Sequence, residues 1–174
     1  NMGFYYIMEG FQLERLTMGA NYMGGADACM EMTIKYISDR EAFGKPIAKF
    51  QVIRHNLADM ASQIEAARQL VYHTAWLHNH GEPAIKESSM VKLLVSEWGK
   101  QCADLCLQCY GGYGFMEEFP IARLYRDARV GTIVAGTSEI MREIIAKIVI
   151  DQVQYDSGYD KAAKKSPDKP RRPE

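Results

Sequence analysis

The sequence lacks the features expected of a membrane-spanning, secreted or nucleic-acid-binding protein. No apolar run approaches the roughly 20 residues that a transmembrane helix requires, and no secretory signal pattern opens the chain. Neither sign of charge dominates, because 21 Lys and Arg residues face 22 Asp and Glu residues, for a net charge of -1. This balance argues against a nucleic-acid-binding surface.

Cysteine is also scarce, with four residues in the chain. Cys102, Cys106 and Cys109 have the C-x3-C-x2-C spacing of some iron–sulfur proteins, whose thiolates wrap a cluster from an irregular loop. Here the flanking apolar residues recur every three or four positions, which places the cysteines on one helix face as small apolar side chains. None of the four histidines is accompanied in the sequence by other residues at the spacing of a metal site. We therefore predict no metal site, and reduced thiols in a bacterial cytoplasm or a mitochondrial matrix.

No stretch of the sequence alternates apolar and polar residues as a half-buried strand would. Apolar residues instead recur at helical spacing over residues 11–39, 51–80 and 84–110, and shorter helices are predicted at 121–130 and 137–151. The second stretch has an unbroken apolar seam that steps by four and three: Ile53, Leu57, Met60, Ile64, Ala67, Val71 and Thr74. These patterns predict an all-α, up-and-down four-helix bundle whose fourth helix is broken.

Two parts are predicted along the chain. Residues 1–153 form the helical bundle domain. Residues 154–174 form a basic, proline-rich tail with few apolar residues, which cannot bury enough surface to become ordered. The opening run NMGFYYIMEGF has the character of an internal segment, so we expect the chain to be one domain of a larger protein.

Three long, irregular segments carry a resemblance to a known family. They are residues 38–60 (SDREAFGKPIAKFQVIRHNLADM), 108–129 (QCYGGYGFMEEFPIARLYRDAR) and 135–142 (AGTSEIMR). Together they resemble the signatures of the acyl-CoA dehydrogenase C-terminal domain, in the order and spacing of that family. The resemblance implies an enzyme that uses FAD to remove two hydrogens from the α and β carbons of an acyl-CoA thioester.

The resemblance also implies FAD contacts at particular positions. Arg40 matches the arginine that meets the FAD pyrophosphate, a role that suits the two-pronged guanidinium. Without the resemblance, a surface arginine beside Asp39 and Glu41 is the simpler interpretation. The other matching cofactor positions are Phe43, Gln51, Gln108, Gly111 and Gly112, and then Thr137, Ser138 and Glu139. Thr137 and Glu139 also suit a helix N-cap and a first-turn acid, and both roles can hold together.

The general base is expected at Glu14. Many family members have a catalytic glutamate at the position of Ala135, whereas isovaleryl-CoA and long-chain types take the base from an x-E-R-x pattern on the first long helix. This chain has that pattern at Leu13-Glu14-Arg15-Leu16. Glu14 shares a helix face with apolar residues three and four positions away, which predicts a buried carboxylate whose pKa is raised by burial. The backbone N–H of Ala135 is then expected to polarise the thioester carbonyl.

The remaining implications concern substrate and partners. Arg15, Tyr36 and Gly136 match substrate-contacting positions, and alanine at 135 favours a branched or long acyl group. The resemblance implies a dimer of dimers, in which Arg40, Gln51 and the run from Gln108 to Gly112 reach a neighbouring subunit's FAD. It also implies electron-transfer flavoprotein as the electron acceptor. Two other interpretations stay open: a same-fold acyl-CoA oxidase or flavin monooxygenase, and a non-catalytic helical module.

Overall fold

Three long helices form the body of the protein: α1 (Gly3–Asp39), α2 (Gln51–Asn79) and α3 (Ile85–Tyr110). Two shorter helices follow, α4 (Pro120–Val130) and α5 (Ser138–Val149). The structure is a computed structural model that describes residues 3–155, apart from the side chain of Tyr5. It confirms the all-α, up-and-down bundle, with the fourth helix divided into α4 and α5. Residues 156–174, most of the predicted basic tail, lie outside the described residues, so its disorder stays a prediction.

The apolar seam of α2 is the feature that the sequence predicted most closely. Of its seven positions, Leu57, Met60, Ile64, Ala67, Val71 and Thr74 are buried, and Ile53 is half-buried against the core. Burying a large aliphatic side chain contributes about 1.5–3 kcal/mol to folding. The seam therefore holds α2 against α1 and α3, and leaves its polar face to water.

The loop predicted between α1 and α2 contains a small β-hairpin, which the sequence reasoning missed. Strands β1 (Glu41–Ala42) and β2 (Lys45–Pro46) pair in antiparallel register. Phe43 and Gly44 form the turn, with φ of 55° and 78°, as a two-residue hairpin loop requires. Strands of two residues are too short to show an alternating pattern. The hairpin matters because the Arg40 carbonyl accepts a hydrogen bond from the Ile47 N–H at 2.8 Å, which closes the loop around Arg40.

The cysteines pack as predicted, as small apolar groups on α3. Cys102 and Cys106 are fully buried, their sulfur atoms are 4.0 Å apart, and the Cys102 thiol donates to the Ala26 carbonyl. Burial raises the pKa of Cys109 to about 11 and that of Cys29 to about 12. Within residues 3–155, no group of three or more His, Cys, Asp or Glu is placed to hold a metal ion.

Gly19 lets α1 pack closely against α3. A Cβ at Gly19 would overlap the Cγ1 atom of Val91, so only glycine lets the two helices meet at this level. One core cluster, around Leu16 and Val95, lies at this end of the bundle, and a larger one lies towards the C-terminal ends of α1 and α3. None of the helices described here is long and apolar enough to cross a membrane.

Candidate functional site

The predicted site residues gather at two places in the fold. Five of them line one cavity at the C-terminal ends of α1 and α3: Tyr36, Arg40, Gln108, Gly111 and Gly112. The second place is the turn of residues 131–137 between α4 and α5, which Arg15 contacts from α1. A separate cavity of about 360 Å³ between α1, α3 and α4 is lined by none of the predicted site residues.

The first place, which we name the Arg40 cavity, has a volume of about 540 Å³. This volume is within the usual range for small-ligand sites. Its wall includes Tyr36, whose ring stacks on that of Tyr110 with centroids 4.0 Å apart. The Tyr110 hydroxyl donates to the Met32 carbonyl at 3.1 Å, so the stacked pair is fixed to α1. Ile47, Tyr113 and Met116 complete a mostly apolar lining with a few polar groups.

Gly111 exposes its backbone to this cavity. It ends α3 with φ of 59° and ψ of -135°, a conformation that residues with a Cβ rarely adopt. No atom lies within 4 Å of the place that a Cβ would occupy at either Gly111 or Gly112. The run from Gln108 to Gly112 therefore offers an amide side chain followed by backbone that a ligand can approach closely.

Arg40 has no carboxylate partner in the described part of the chain, although Asp39 and Glu41 flank it. None of the ion pairs among residues 3–155 involves it. Its guanidinium carbon lies 5.8 Å from the ring centre of Tyr113, a cation–π distance. Arg40 is therefore an exposed arginine, as the simpler interpretation expects, but it forms no ion pair with Asp39 or Glu41, and its guanidinium donors remain available for an anion such as a diphosphate.

The second place is the 131–137 turn, whose backbone is strained. Ala135 has φ of 54° and Gly136 has φ of 95°. A non-glycine residue in a sparsely populated backbone region costs about 1–3 kcal/mol, and such residues concentrate at functional sites. The Arg15 Nε donates to the Ala135 carbonyl at 3.5 Å, and the Ser138 N–H donates to the Thr132 carbonyl at 3.0 Å. The first bond holds the strained residue Ala135 to α1, and the second closes the turn.

The backbone N–H of Ala135 donates to no group within residues 3–155, so it is available to a bound carbonyl. Thr137 is the N-cap of α5, since its hydroxyl accepts from the Ile140 N–H at 3.4 Å. The pKa of Glu139 is lowered, mainly by its own backbone N–H and also by the Thr137 hydroxyl. The start of α5 is thus capped from within the chain, and Ala135 supplies the free donor.

Arg15 is a buried cation in contact with this turn. It is 9% exposed, and its guanidinium carbon lies 5.9 Å from the ring centre of Phe11. Burial lowers the pKa of Arg15, and the nearby charge of Glu14 partly opposes that shift. Arg15 therefore contacts the turn, and it forms no ion pair with a carboxylate among residues 3–155.

The predicted burial of Glu14 is wrong for this chain. Its neighbours on the helix face, Phe11 and Met18, are half-buried, but Glu14 itself is exposed. The first part of α1 extends along a side of the bundle where Ile7 and Leu13 are exposed too. The described residues therefore place a carboxylate next to Arg15, but they do not remove it from water.

Ser138 and Glu139 begin α5 directly after the turn, whereas two other predicted cofactor residues lie away from both places. Phe43 is 95% exposed at the hairpin tip, and Gln51 is exposed at the first position of α2. Sequence reasoning missed two other residues that matter. Tyr113 was visible in the run GGYG but was not assigned a role, and Lys92 had no signal, because a single lysine in a helix usually indicates a solvated position.

The helical bundle therefore has two candidate ligand-contact places, a cavity lined by Arg40 and two glycines and a strained turn. Residues 1–150 match the family model described as "Acyl-CoA dehydrogenase, C-terminal domain", and the chain belongs to that family. It is 45% identical over 148 residues to an acyl-CoA dehydrogenase of Bacillus subtilis, covering 85% of this chain and 39% of that protein. It is 43% identical to an acryloyl-CoA reductase (NADH) of Anaerotignum propionicum, covering 85% of this chain and 38% of that protein.

Solved structures show the same likeness. Butyryl-CoA dehydrogenase from Megasphaera elsdenii superimposes with a TM-score of 0.84 at 36% identity, over 86% of this chain and 39% of that one. PigA, solved with FAD and proline, superimposes with a TM-score of 0.76 at 31% identity, over 79% of this chain and 36% of that one. The chain therefore spans about two fifths of the length of these relatives.

Proposed function

We propose that this chain is the C-terminal helical domain of an FAD-dependent acyl-CoA dehydrogenase. The enzyme removes two hydrogens from the α and β carbons of an acyl-CoA thioester and yields 2-enoyl-CoA. The observation that carries this proposal is the Arg40 cavity, where an unpaired arginine, the Gln108 amide and the open backbone of Gly111 and Gly112 meet. Family membership over residues 1–150 supports the same class of reaction.

The donor set of the Arg40 cavity fits the diphosphate part of FAD. A guanidinium without a protein acceptor and a backbone without side chains are the groups that approach a diphosphate most closely. Arg40, Gln108 and the Gly111–Gly112 backbone would hold the diphosphate part of one FAD here. Thr137, Ser138 and Glu139 of another copy would contact that FAD where α5 begins. When bound, FAD supplies the acceptor for the hydride that leaves the β carbon.

Two groups of this chain act on the acyl thioester in this proposal. The N–H of Ala135 donates to the thioester carbonyl oxygen, where negative charge develops as the α proton leaves. The Glu14 carboxylate accepts that α proton. Arg15 holds the Ala135 carbonyl, so the N–H on the other side of the residue keeps its direction.

The distance between the two places supports an oligomer. Arg15 and Asp39 are 24 residues apart on one helix, which at 1.5 Å per residue is roughly 36 Å. Because Arg40 directly follows Asp39, one cofactor cannot reach both the Arg40 cavity and the 131–137 turn of the same copy. We therefore propose that each cavity holds the FAD of a neighbouring subunit in a dimer of dimers. Electron-transfer flavoprotein is the proposed acceptor.

The proposed function predicts a flavin spectrum that acyl-CoA bleaches. The full-length protein should purify with FAD absorbance, and anaerobic addition of isovaleryl-CoA, palmitoyl-CoA or butyryl-CoA should bleach it, with 2-enoyl-CoA as product. Spectrophotometry with product analysis measures both. A protein that binds FAD but reacts with no thioester of this panel would contradict the dehydrogenase proposal. A protein that binds no FAD would leave the non-catalytic helical module as the remaining interpretation.

Arg40→Ala should weaken FAD retention. Loss of a charge-assisted hydrogen bond removes about 1.5–3 kcal/mol, so the Kd for FAD should rise roughly 10- to 100-fold. The Kd of Arg40→Lys should lie between those of wild type and Arg40→Ala, since an ammonium keeps the charge but lacks the two-pronged geometry of a guanidinium. Fluorescence titration of apoprotein measures the Kd, and Arg123→Ala, an exposed site on α4, is the control. A monomer that holds FAD tightly would contradict the shared-cofactor arrangement.

A second candidate is the reverse reaction, reduction of a 2-enoyl-CoA. It is favoured by the 43% identity to a relative named acryloyl-CoA reductase (NADH). The same residues serve both directions, because the proton that Glu14 accepts in one direction it donates in the other. Assays with enoyl-CoA and a reductant, run beside those with acyl-CoA and an electron acceptor, identify the favoured direction. Rapid reoxidation by oxygen would indicate an oxidase instead.

A further inference from the structure

Lys92 is a buried cation that neither the family resemblance nor the proposed mechanism uses. It lies on α3 with 1% exposure, and its Nζ atom has no hydrogen-bond partner among residues 3–155. An ammonium in such a position is unfavourable, since burial removes its hydration without a replacement. A methionine would fill a similar volume without that loss. Stability therefore gives no reason for a lysine at this position.

The packing of α1 on α3 brings Lys92 near the 131–137 turn. Gly19 lets α1 meet α3 at Val91, the residue before Lys92. Burial lowers the pKa of Lys92, and the charge of Arg15, which lies one helical turn before Gly19 on α1, lowers it further. Arg15 in turn donates to the Ala135 carbonyl. Lys92 is thus linked electrostatically to Arg15, and Arg15 is hydrogen-bonded to the strained backbone.

The charged groups buried at this place, Lys92 and Arg15, are both positive. Arg15 faces Lys92 from α1, Glu97 from its own helix and Glu139 from α5, and the two carboxylates raise its pKa. Both carboxylates also face Arg142, at 3.7 Å for Glu97 and 3.9 Å for Glu139. With Glu14 beside Arg15, three cations face three carboxylates. Glu14 and Glu139 are exposed and Glu97 is half-buried, so water screens the carboxylates more than it screens the two buried cations. The N-terminus of α5 adds the positive end of a helix dipole beside the same turn.

We propose that Lys92 is a positioning residue of the 131–137 turn: with Arg15 it forms a buried cation pair whose positive potential stabilises negative charge on a carbonyl oxygen bound at the Ala135 N–H. This inference rests on the proposed function, because the carbonyl is that of the acyl thioester, which becomes enolate-like as the α proton leaves. A charge fixed in a region without water acts more strongly than the same charge in solvent. An unpaired buried cation lowers stability, and such a loss is expected where the residue serves a function.

The test compares Lys92→Met and Lys92→Gln with wild type in the full-length holoenzyme. Lys100→Met is the matched control, since it makes the same substitution two helical turns further along α3, beside a different small cavity. For each protein, thermal unfolding is followed from neutral to alkaline pH, and flavin reduction by a saturating acyl-CoA is followed by stopped flow. The FAD content is measured separately by absorbance.

Lys92→Met should be at least as stable as wild type at neutral pH, yet should reduce flavin about tenfold more slowly or worse, with little change in KM and unchanged FAD content. The pH dependence of the stability difference has a definite sign. The folded-state pKa of Lys92 is lowered from its ordinary value of 10.5, so wild type buries a charge below that folded-state pKa. The stability advantage of Lys92→Met is therefore full at pH values below the folded-state pKa of Lys92, and it shrinks as pH rises through that pKa towards the ordinary value.

Lys92→Gln keeps a polar group and removes the charge, so it should be as slow as Lys92→Met. Lys100→Met should reduce flavin at the wild-type rate. Wild-type reduction rates in both Lys92 variants would overturn the inference, and so would failure of both variants to fold, because Lys92 would then be a structural residue. If wild type itself shows no acyl-CoA-dependent reduction, the proposed function fails instead, while the pH-dependent stability difference still tests whether Lys92 is a buried charge.

Discussion

Replacing Glu14 by Gln in the full-length protein is expected to abolish flavin reduction by acyl-CoA while FAD stays bound. The amide has nearly the same shape as the carboxylate but cannot accept the α proton. A positioned general base contributes about 10²- to 10⁴-fold to a rate, so stopped-flow bleaching should slow by at least the lower of these factors. The visible spectrum of the variant before substrate is added should match that of wild type.

The matched control is Glu9→Gln, an exposed glutamate on the same helix that lies in neither site. It should bleach at the wild-type rate. Bleaching at the wild-type rate in Glu14→Gln would place the base elsewhere, whereas loss of FAD from that variant would indicate a cofactor contact. The pair of variants therefore separates proton abstraction from general damage to the first part of α1.

The exposure of Glu14 determines which protein this experiment needs. A base that removes an α proton works best where water is excluded, and the described chain leaves Glu14 open beside exposed Ile7 and Leu13. A row of exposed apolar residues beside a carboxylate is the kind of surface that another domain covers. Since the chain spans about two fifths of the length of its relatives, we propose that the rest of the protein covers Glu14.

The helices were predictable because their apolar periodicity is long and is tied to burial. The α2 seam repeats over more than 20 residues, and each position in it has the same physical reason to face the core. The cysteine spacing was interpreted correctly for the same reason, since its flanking residues continued the helical period. The β-hairpin was missed because two-residue strands carry no period at all.

The two site geometries were only partly predictable. The resemblance identified Arg40 and the Gln108–Gly112 run, but that they share one cavity follows from how α1 and α3 end. The left-handed backbone of Ala135 left no trace in the sequence, because alanine does not signal positive φ as glycine or asparagine does. The burial of Lys92 could not be predicted either, because a single lysine in a helix usually indicates a solvated position.

Moving the general base from position 14 to position 135 should change both the rate of flavin reduction and the substrate preference. Glu14→Gly alone should lose most flavin reduction, and adding Ala135→Glu should restore part of it. A side chain at position 135 is carried by the same residue whose N–H is free to bind the carbonyl, so a carboxylate there starts close to the α carbon. Glutamate tolerates the backbone at φ of 54° no worse than alanine, since both carry a Cβ.

The control for that restoration is Glu14→Gly combined with Ile133→Glu, which places the new carboxylate on an exposed residue of the same turn. It should stay inactive, and equal recovery there would mean that any nearby carboxylate suffices.

Substrate preference is the second property that the double variant should change. Wild type, with the small Ala135 side chain, should prefer isovaleryl-CoA or long-chain acyl-CoA over butyryl-CoA, by about 1–3 kcal/mol for each misplaced methylene. The double variant, with a glutamate beside the reacting carbons, should shift towards straight chains. Competition assays that yield kcat/KM ratios measure the shift, and a wild type that strongly favours butyryl-CoA would refute the substrate argument even if Glu14 is the base.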